Sequence, residues 1–127
     1  MGKDIITDWH SKRLTDFHIK RIIRAQSYMH DASITAYLSD VFISDGSAAG
    51  ITYGHTRVDG FGRFADGHVI RTSHIRRAAK IGPFWVLKTM NSRYVIASFK
   101  RGVGRPSFQR LLRSAVEDVD GPSPAIH

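Results

Sequence analysis

The sequence predicts an α+β domain: two N-terminal helices, a small antiparallel β-meander or half-open barrel of the SH3-like or OB-like sort, and one C-terminal amphipathic helix. Three observations predict it. Apolar residues recur at helical spacing before residue 45 and again after Pro106. Residues 50 to 100 between them are rich in β-branched and aromatic side chains and are punctuated by Asp59-Gly60, Asp66-Gly67, Gly82-Pro83 and Asn91-Ser92. A chain of 127 residues suits one domain with a real core, and two would be a squeeze. The expected division is a single domain over 1–119, with a helical layer at 15–44, the meander at 50–100 and a helix at 106–119. Residues 120–127 are expected to form a disordered tail.

Thr15 is a suitable N-cap with Asp16 in the first turn, and Ile19, Ile22, Ile23, Gln26 and Met29 follow near helical spacing. Ser33 is read as the cap of a second helix, because Ile34, Tyr37, Leu38, Val41 and Phe42 fall at i, i+3, i+4, i+7 and i+8. Asp45-Gly46-Ser47 would end it. Strands are expected near 51–57, 61–65, 68–75, 84–90 and 93–100, with Asp66-Gly67 as the strongest turn signal because Gly accepts a positive φ there. Pro106 suits the first turn of the last helix, whose stripe runs Phe108, Leu111, Leu112, Ala115, Val116 and Val119. Asp120-Gly121-Pro122 should stop it.

Charge separates this chain from an ordinary small domain. From Arg57 to Val116 there are thirteen Lys and Arg against two acids, Asp59 and Asp66, whereas residues 1–56 are neutral overall and 117–127 carry three acids. A unit with net charge +11 repels itself and favours polyanionic partners. Arg71, Arg76, Arg77, Lys80, Lys88, Arg93, Lys100, Arg101 and Arg105 sit at expected strand ends and in the loop before the last helix, where they could converge on one patch, with Arg110 and Arg113 extending it. Phe61, Phe64, Phe84, Trp85, Tyr94 and Phe99 interleave with these cations. Such rings stack bases in single-strand binders, but a small barrel needs large side chains inside, so most are expected in the core.

Other chemistries find little support. There is no cysteine, which removes disulfides, thiolate metal sites and a cysteine nucleophile, and a cytosolic setting follows naturally. His55, His68 and His74 lack helical metal-ligand spacing and sit among positive charge, so no metal and no cofactor is expected. Thr72-Ser73-His74 places hydroxyls beside an imidazole, yet strand neighbours point to opposite faces. Gly102-Val103-Gly104-Arg105-Pro106 lacks the Lys-Ser/Thr of a phosphate-cradling loop. Residues 33–45 carry no Lys or Arg, so they do not make a DNA-recognition helix. No enzymatic activity is expected. Neither a signal peptide nor an apolar stretch near the ~20 residues of a membrane span is evident.

The run Arg63-Phe64-Ala65-Asp66-Gly67-His68-Val69-Ile70-Arg71-Thr72-Ser73-His74-Ile75, followed by Val86-Leu87-Lys88-Thr89-Met90-Asn91-Ser92-Arg93-Tyr94, resembles a pattern in small uncharacterised phage and prophage accessory proteins. That pattern comprises Phe-x-Asp-Gly, a Thr-Ser pair and Thr-x-Asn-Ser-x-Tyr, and it covers about a quarter of the chain. The resemblance implies a mobile-element origin and a small β-meander, and carries no established activity. The expected function is a non-enzymatic basic binder of nucleic acid, DNA or RNA, or of a host nucleoprotein complex, acting through phosphate-directed Arg and Lys. The competing expectation, drawn from the phage resemblance, is a counter-defence or host-takeover inhibitor, for example an anti-CRISPR, that binds a host protein through the helical layer around Tyr37.

Overall fold

The computed structural model describes residues 14–30, 33–114 and 118–120. Its first element is the expected helix, α1 (Asp16–Gln26). Thr15 caps it in a reciprocal box: Thr15 Oγ1 accepts from the His18 N–H at 3.3 Å, and His18 Nδ1 accepts from the Thr15 N–H at 3.0 Å. Accepting at Nδ1 places the ring proton on Nε2, which donates to Asp40 Oδ1 at 3.0 Å. Arg21 Nε donates to the Ala97 carbonyl at 3.0 Å, so both ends of the first two turns are tied to the sheet.

The second N-terminal helix does not form. Its residues make strand β1 (Ala36–Ser44), which turns through Asp45-Gly46 into β2 (Ser47–Tyr53). Asp45 and Gly46 both have positive φ, 51° and 79°, the signature of a two-residue hairpin turn rather than a helix end. A bulge explains the helical spacing. Asp40, at φ 52°, is the extra residue between the Ser39↔Ile51 and Phe42↔Ala49 pairs. It lets Leu38 and Val41, three apart, enter the same core cluster, so a strand copies the i, i+3 step of a helix.

The remaining elements are β3 (Val69–Arg71), β4 (Arg77–Ile81), β5 (Phe84–Lys88), β6 (Arg93–Ile96), α2 (Gly104–Arg113) and β7 (Asp118–Asp120). They form one sheet in the order β3-β2-β1-β6-β5-β4-β7. Its ends are β3 and β7, so the sheet is open and no barrel closes. It is also mixed rather than an antiparallel meander, because β1 pairs with β6, and β4 with β7, in parallel. The expected strand at 61–65 is a run of turns within the loop from Gly54 to His68, while β4 was not anticipated. The strands expected at 84–90 and 93–100 are present in shorter form, and Gly67 does turn, at φ 92°, with Asp66 Oδ1 accepting from the Gly54 N–H at 2.8 Å.

Each helix covers one face. Beneath α1, Ala25 and Met29 bury Phe84, Val86 and Val95, with Tyr28, Ile34, Tyr37 and Ile81 at the margin. Tyr37 is therefore a strand residue packed below α1, not part of a helical contact surface, and burial raises its phenol pKa. On the other face Phe108 and Leu111 of α2 bury Leu38, Val41, Ile75, Ala78, Leu87 and Ile96. Close approach of α2 to β1 needs Gly104, where a Cβ would stand 2.4 Å from the Val41 carbonyl oxygen. Ser107 Oγ completes the joint, accepting from the Ile43 N–H and donating to the Gly104 carbonyl, both at 2.8 Å. Pro106 falls in the first turn as expected. Residues 115–117, where the helix was expected to continue, lie outside the described residues, and 118–120 pair as a strand instead. The tail from 121 onward is also outside them. Among the described residues no helix is long and apolar enough to cross a membrane.

Candidate nucleic-acid interface

Strand register brings three of the expected cations into one row. Arg77 pairs with Lys88 across β4 and β5, and Lys88 pairs with Arg93 across β5 and β6. Directly paired residues share a face, here that of α1, at the strand ends beyond the Ala79, Val86 and Val95 rung. Arg93 is exposed, while Arg77 and Lys88 are half-buried. Like charges directly opposite cost a few tenths of a kcal/mol up to about 1 kcal/mol. Neither Lys88 nor Arg93 has a carboxylate partner among the described residues. On its outer side Arg77 stands in backbone register with Asp118.

Past β6 the hydrogen-bonded backbone continues along the same edge, without a further cation pair on the α1 face among the described residues. The Thr35 N–H donates to the Arg93 carbonyl at 2.7 Å, and the Thr56 N–H donates to the Thr35 carbonyl at 2.9 Å. Exposed Arg57 follows. From β4 to the extension of β2 the rim crosses four inter-strand gaps, roughly 19 Å. That length matches about five or six nucleotide steps along one strand of a duplex. Arg57 and Arg63 were absent from the expected set, which ran from Arg71 to Arg105.

The other expected residues go elsewhere. Lys100, Arg101 and Arg105 follow the C-terminal end of β6, opposite the end where Arg93 stands, so Arg71 to Arg105 do not converge on one patch. Several of these cations lie over rings. Lys80 Nζ is 5.8 Å from the Trp85 ring, Trp85 is 5.1 Å from Phe108, Phe108 is 5.5 Å from Phe99, and the Arg105 guanidinium is 4.7 Å from Phe99. A cation thus closes each end of an aromatic arc. Lys100 similarly lies 5.2 Å from Phe42. Arg76 is exposed just before β4, and Arg71 is exposed on the edge strand β3, where its Nη2 donates to the Ser44 carbonyl at 2.8 Å. Of the six interleaved aromatics, Phe84 and Tyr94 are buried, Phe64, Trp85 and Phe99 are half-buried, and Phe61 is 84% exposed.

Asp59, Asp40 and Asp66 are each engaged within the molecule. Asp59 accepts from Arg63 Nε at 2.6 Å and from the Phe61 and Arg63 N–H groups at 3.1 Å. The Arg63 side-chain bond is the main reason its carboxyl sits below the usual range. Asp40 takes His18, and Asp66 takes the Gly54 N–H. No group of three or more His, Asp or Glu able to hold a metal occurs among the described residues. No family model, no curated protein and no solved structure matches the chain.

Proposed function

We propose that this protein binds nucleic acid by gripping its phosphate backbone along the rim formed by Arg77, Lys88, Arg93 and Arg57. The observation that supports the reading is the register Arg77–Lys88–Arg93, which aligns cations on three adjacent strands. A polyanion laid across the strand ends would offset the repulsion within the row and release its own counterions. Backbone hydrogen bonding sets the spacing of the positions from which the cations of the row project. Contacts of this kind read charge and shape with little sequence preference.

The test is a salt titration of wild type and of the triple variant Arg57→Ala, Lys88→Ala, Arg93→Ala. If these three side chains contact phosphates, the log-log slope of affinity against salt becomes shallower by roughly 2 to 3 units, whatever the oligonucleotide sequence. An unchanged slope, or no wild-type binding at low salt, would falsify the reading.

A further inference from the structure

Beyond Arg57 the rim opens into a cavity of about 500 Å³ beside the edge strand β3, lined by Arg57, Arg63, Phe64, His68, Val69, Ile70 and Arg71. Its size falls within the range of pockets that hold small organic ligands. Three guanidiniums and an aromatic ring are the groups that a phosphate and a planar base each need.

The cavity is also a built one. Arg63 is held by Asp59 through Nε, and Arg71 is held by the Ser44 carbonyl through Nη2. Each guanidinium carries five N–H donors, so both keep several for an anion while their positions are set. The Arg57 guanidinium lies 5.2 Å from the Phe64 ring, whose own position is fixed by His55 at 4.6 Å. Further along the loop, Phe61 is 84% exposed with the Arg63 guanidinium 5.4 Å from its ring. A duplex keeps its base faces stacked inside, so a ring beside cations adds nothing to duplex binding, whereas it serves an unpaired base.

We infer that the cavity between the Gly54–His68 loop and β3 takes an unpaired nucleobase and its flanking phosphate, which makes single-stranded nucleic acid the preferred ligand of the rim. The inference rests on the rim reading and names the substrate class of the same surface. Phosphates pass along Arg93 and Arg57, and the strand turns into the cavity, where a base lies against Phe64 and its phosphate meets Arg71 and Arg63.

The experiment compares labelled oligothymidine with a duplex of equal length, at equal low salt, using the full chain. Wild type should favour the single strand by roughly ten-fold, the order expected of one stacked base. Arg71→Ala should remove most of that preference and leave duplex affinity as it was, because Arg71 lies outside the rim. Phe64→Leu should remove it too, with a smaller loss of duplex affinity because the Arg57 guanidinium lies on that ring. Ultraviolet crosslinks from thymine should map to residues 57–71. Equal affinity for both forms, or variants that bind the single strand like wild type, overturns the inference while leaving the rim reading in place, provided the rim triple variant loses both ligands. Failure of wild type to bind either form removes the rim reading and this one together. Should Phe64→Leu melt below the working temperature, Arg71→Ala decides alone, since that side chain is exposed and outside the core. A glutamate-rich peptide that occupies the cavity and resists competition by oligothymidine also counts against it.

Discussion

The rim and the α2 face carry similar charge in opposite ways. Along the rim, Lys88 and Arg93 stand side by side, spaced by strand register, with no ring beneath them among the described residues, while Arg57 at the end of the rim lies over the Phe64 ring. On the α2 face, Lys80 and Arg105 each close an end of the Trp85–Phe108–Phe99 arc. A cation over a ring is partly engaged inside the molecule, with an attraction of about 0.5–1 kcal/mol at an exposed site. Two cations in cross-strand register repel each other instead. Net charge therefore does not locate an interface, because the same residue types brace the fold in one place and remain available to a partner in another.

The largest effect that would sharpen this contrast is loss of the ring at the centre of the arc. Phe108 is buried, and Trp85 and Phe99 both pack against it. Phe108→Ala should cost about 3–5 kcal/mol. That is a large part of the total stability of a small domain, roughly 5–15 kcal/mol. Chemical denaturation reads it directly. Nucleic-acid affinity per folded molecule should stay unchanged, and a specific loss of affinity would put the interface on the wrong face.

A charge-matched exchange comes next. Replacing Lys80, Lys100 and Arg105 by Ala removes the same formal charge as the rim triple variant. The prediction is a stability loss of about 1–3 kcal/mol from three cation–ring contacts. The salt slope of binding should move by less than about 1 unit, against roughly 2 to 3 for the rim. Equal slopes for the two triple variants would collapse the distinction into bulk charge.

These contrasts were only partly legible in the sequence. The caps and turns that depend on adjacent residues could be read: Thr15 before Asp16, Asp66-Gly67, Gly82-Pro83, and Pro106 in the first turn of α2. The bulge at Asp40 could not, because one extra residue in a strand gives Leu38 and Val41 the spacing of a helix, and only pairing with β2 separates the two possibilities. β4 was missed because Arg-Ala-Ala-Lys-Ile has a single β-branched residue and is a strand through its neighbours. The basic residues were found, but their grouping depends on strand order. Arg77, Lys88 and Arg93 meet through β4–β5–β6 pairing, while Lys100 and Arg105 lie past the far end of β6, a separation that no local pattern encodes. The loop that carries Arg57 and Arg63 was misread too, since aromatic residues between Asp59-Gly60 and Asp66-Gly67 suggest a short strand between two turns.

The smallest effect concerns pH, and it acts where the rim meets the cavity. The His55 ring lies 4.6 Å from Phe64 and 6.1 Å from Tyr94, and its Nδ1 accepts from the Arg57 N–H at 3.0 Å. Nε2 is buried without a hydrogen-bond partner among the described residues. Burial, and secondly the positive charge of Arg57, hold its pKa below the ordinary 6.5. The unfolded chain therefore takes up this proton at higher pH than the folded one. The stability that His55 contributes is complete above 6.5 and is lost as pH falls through the lower folded value. Melting temperatures followed from about pH 8 to about pH 5 should decline on the acid side, and His55→Gln should flatten that decline. The difference between wild type and variant isolates this group from the other six histidines. Affinity for oligothymidine should move the other way, because a phosphate at Arg57 favours the protonated ring and linkage requires binding to tighten as pH falls. A His55→Gln variant whose affinity gains as much as wild type on acidification would detach His55 from the interface and leave its neutral ring a matter of packing against Phe64 and Tyr94.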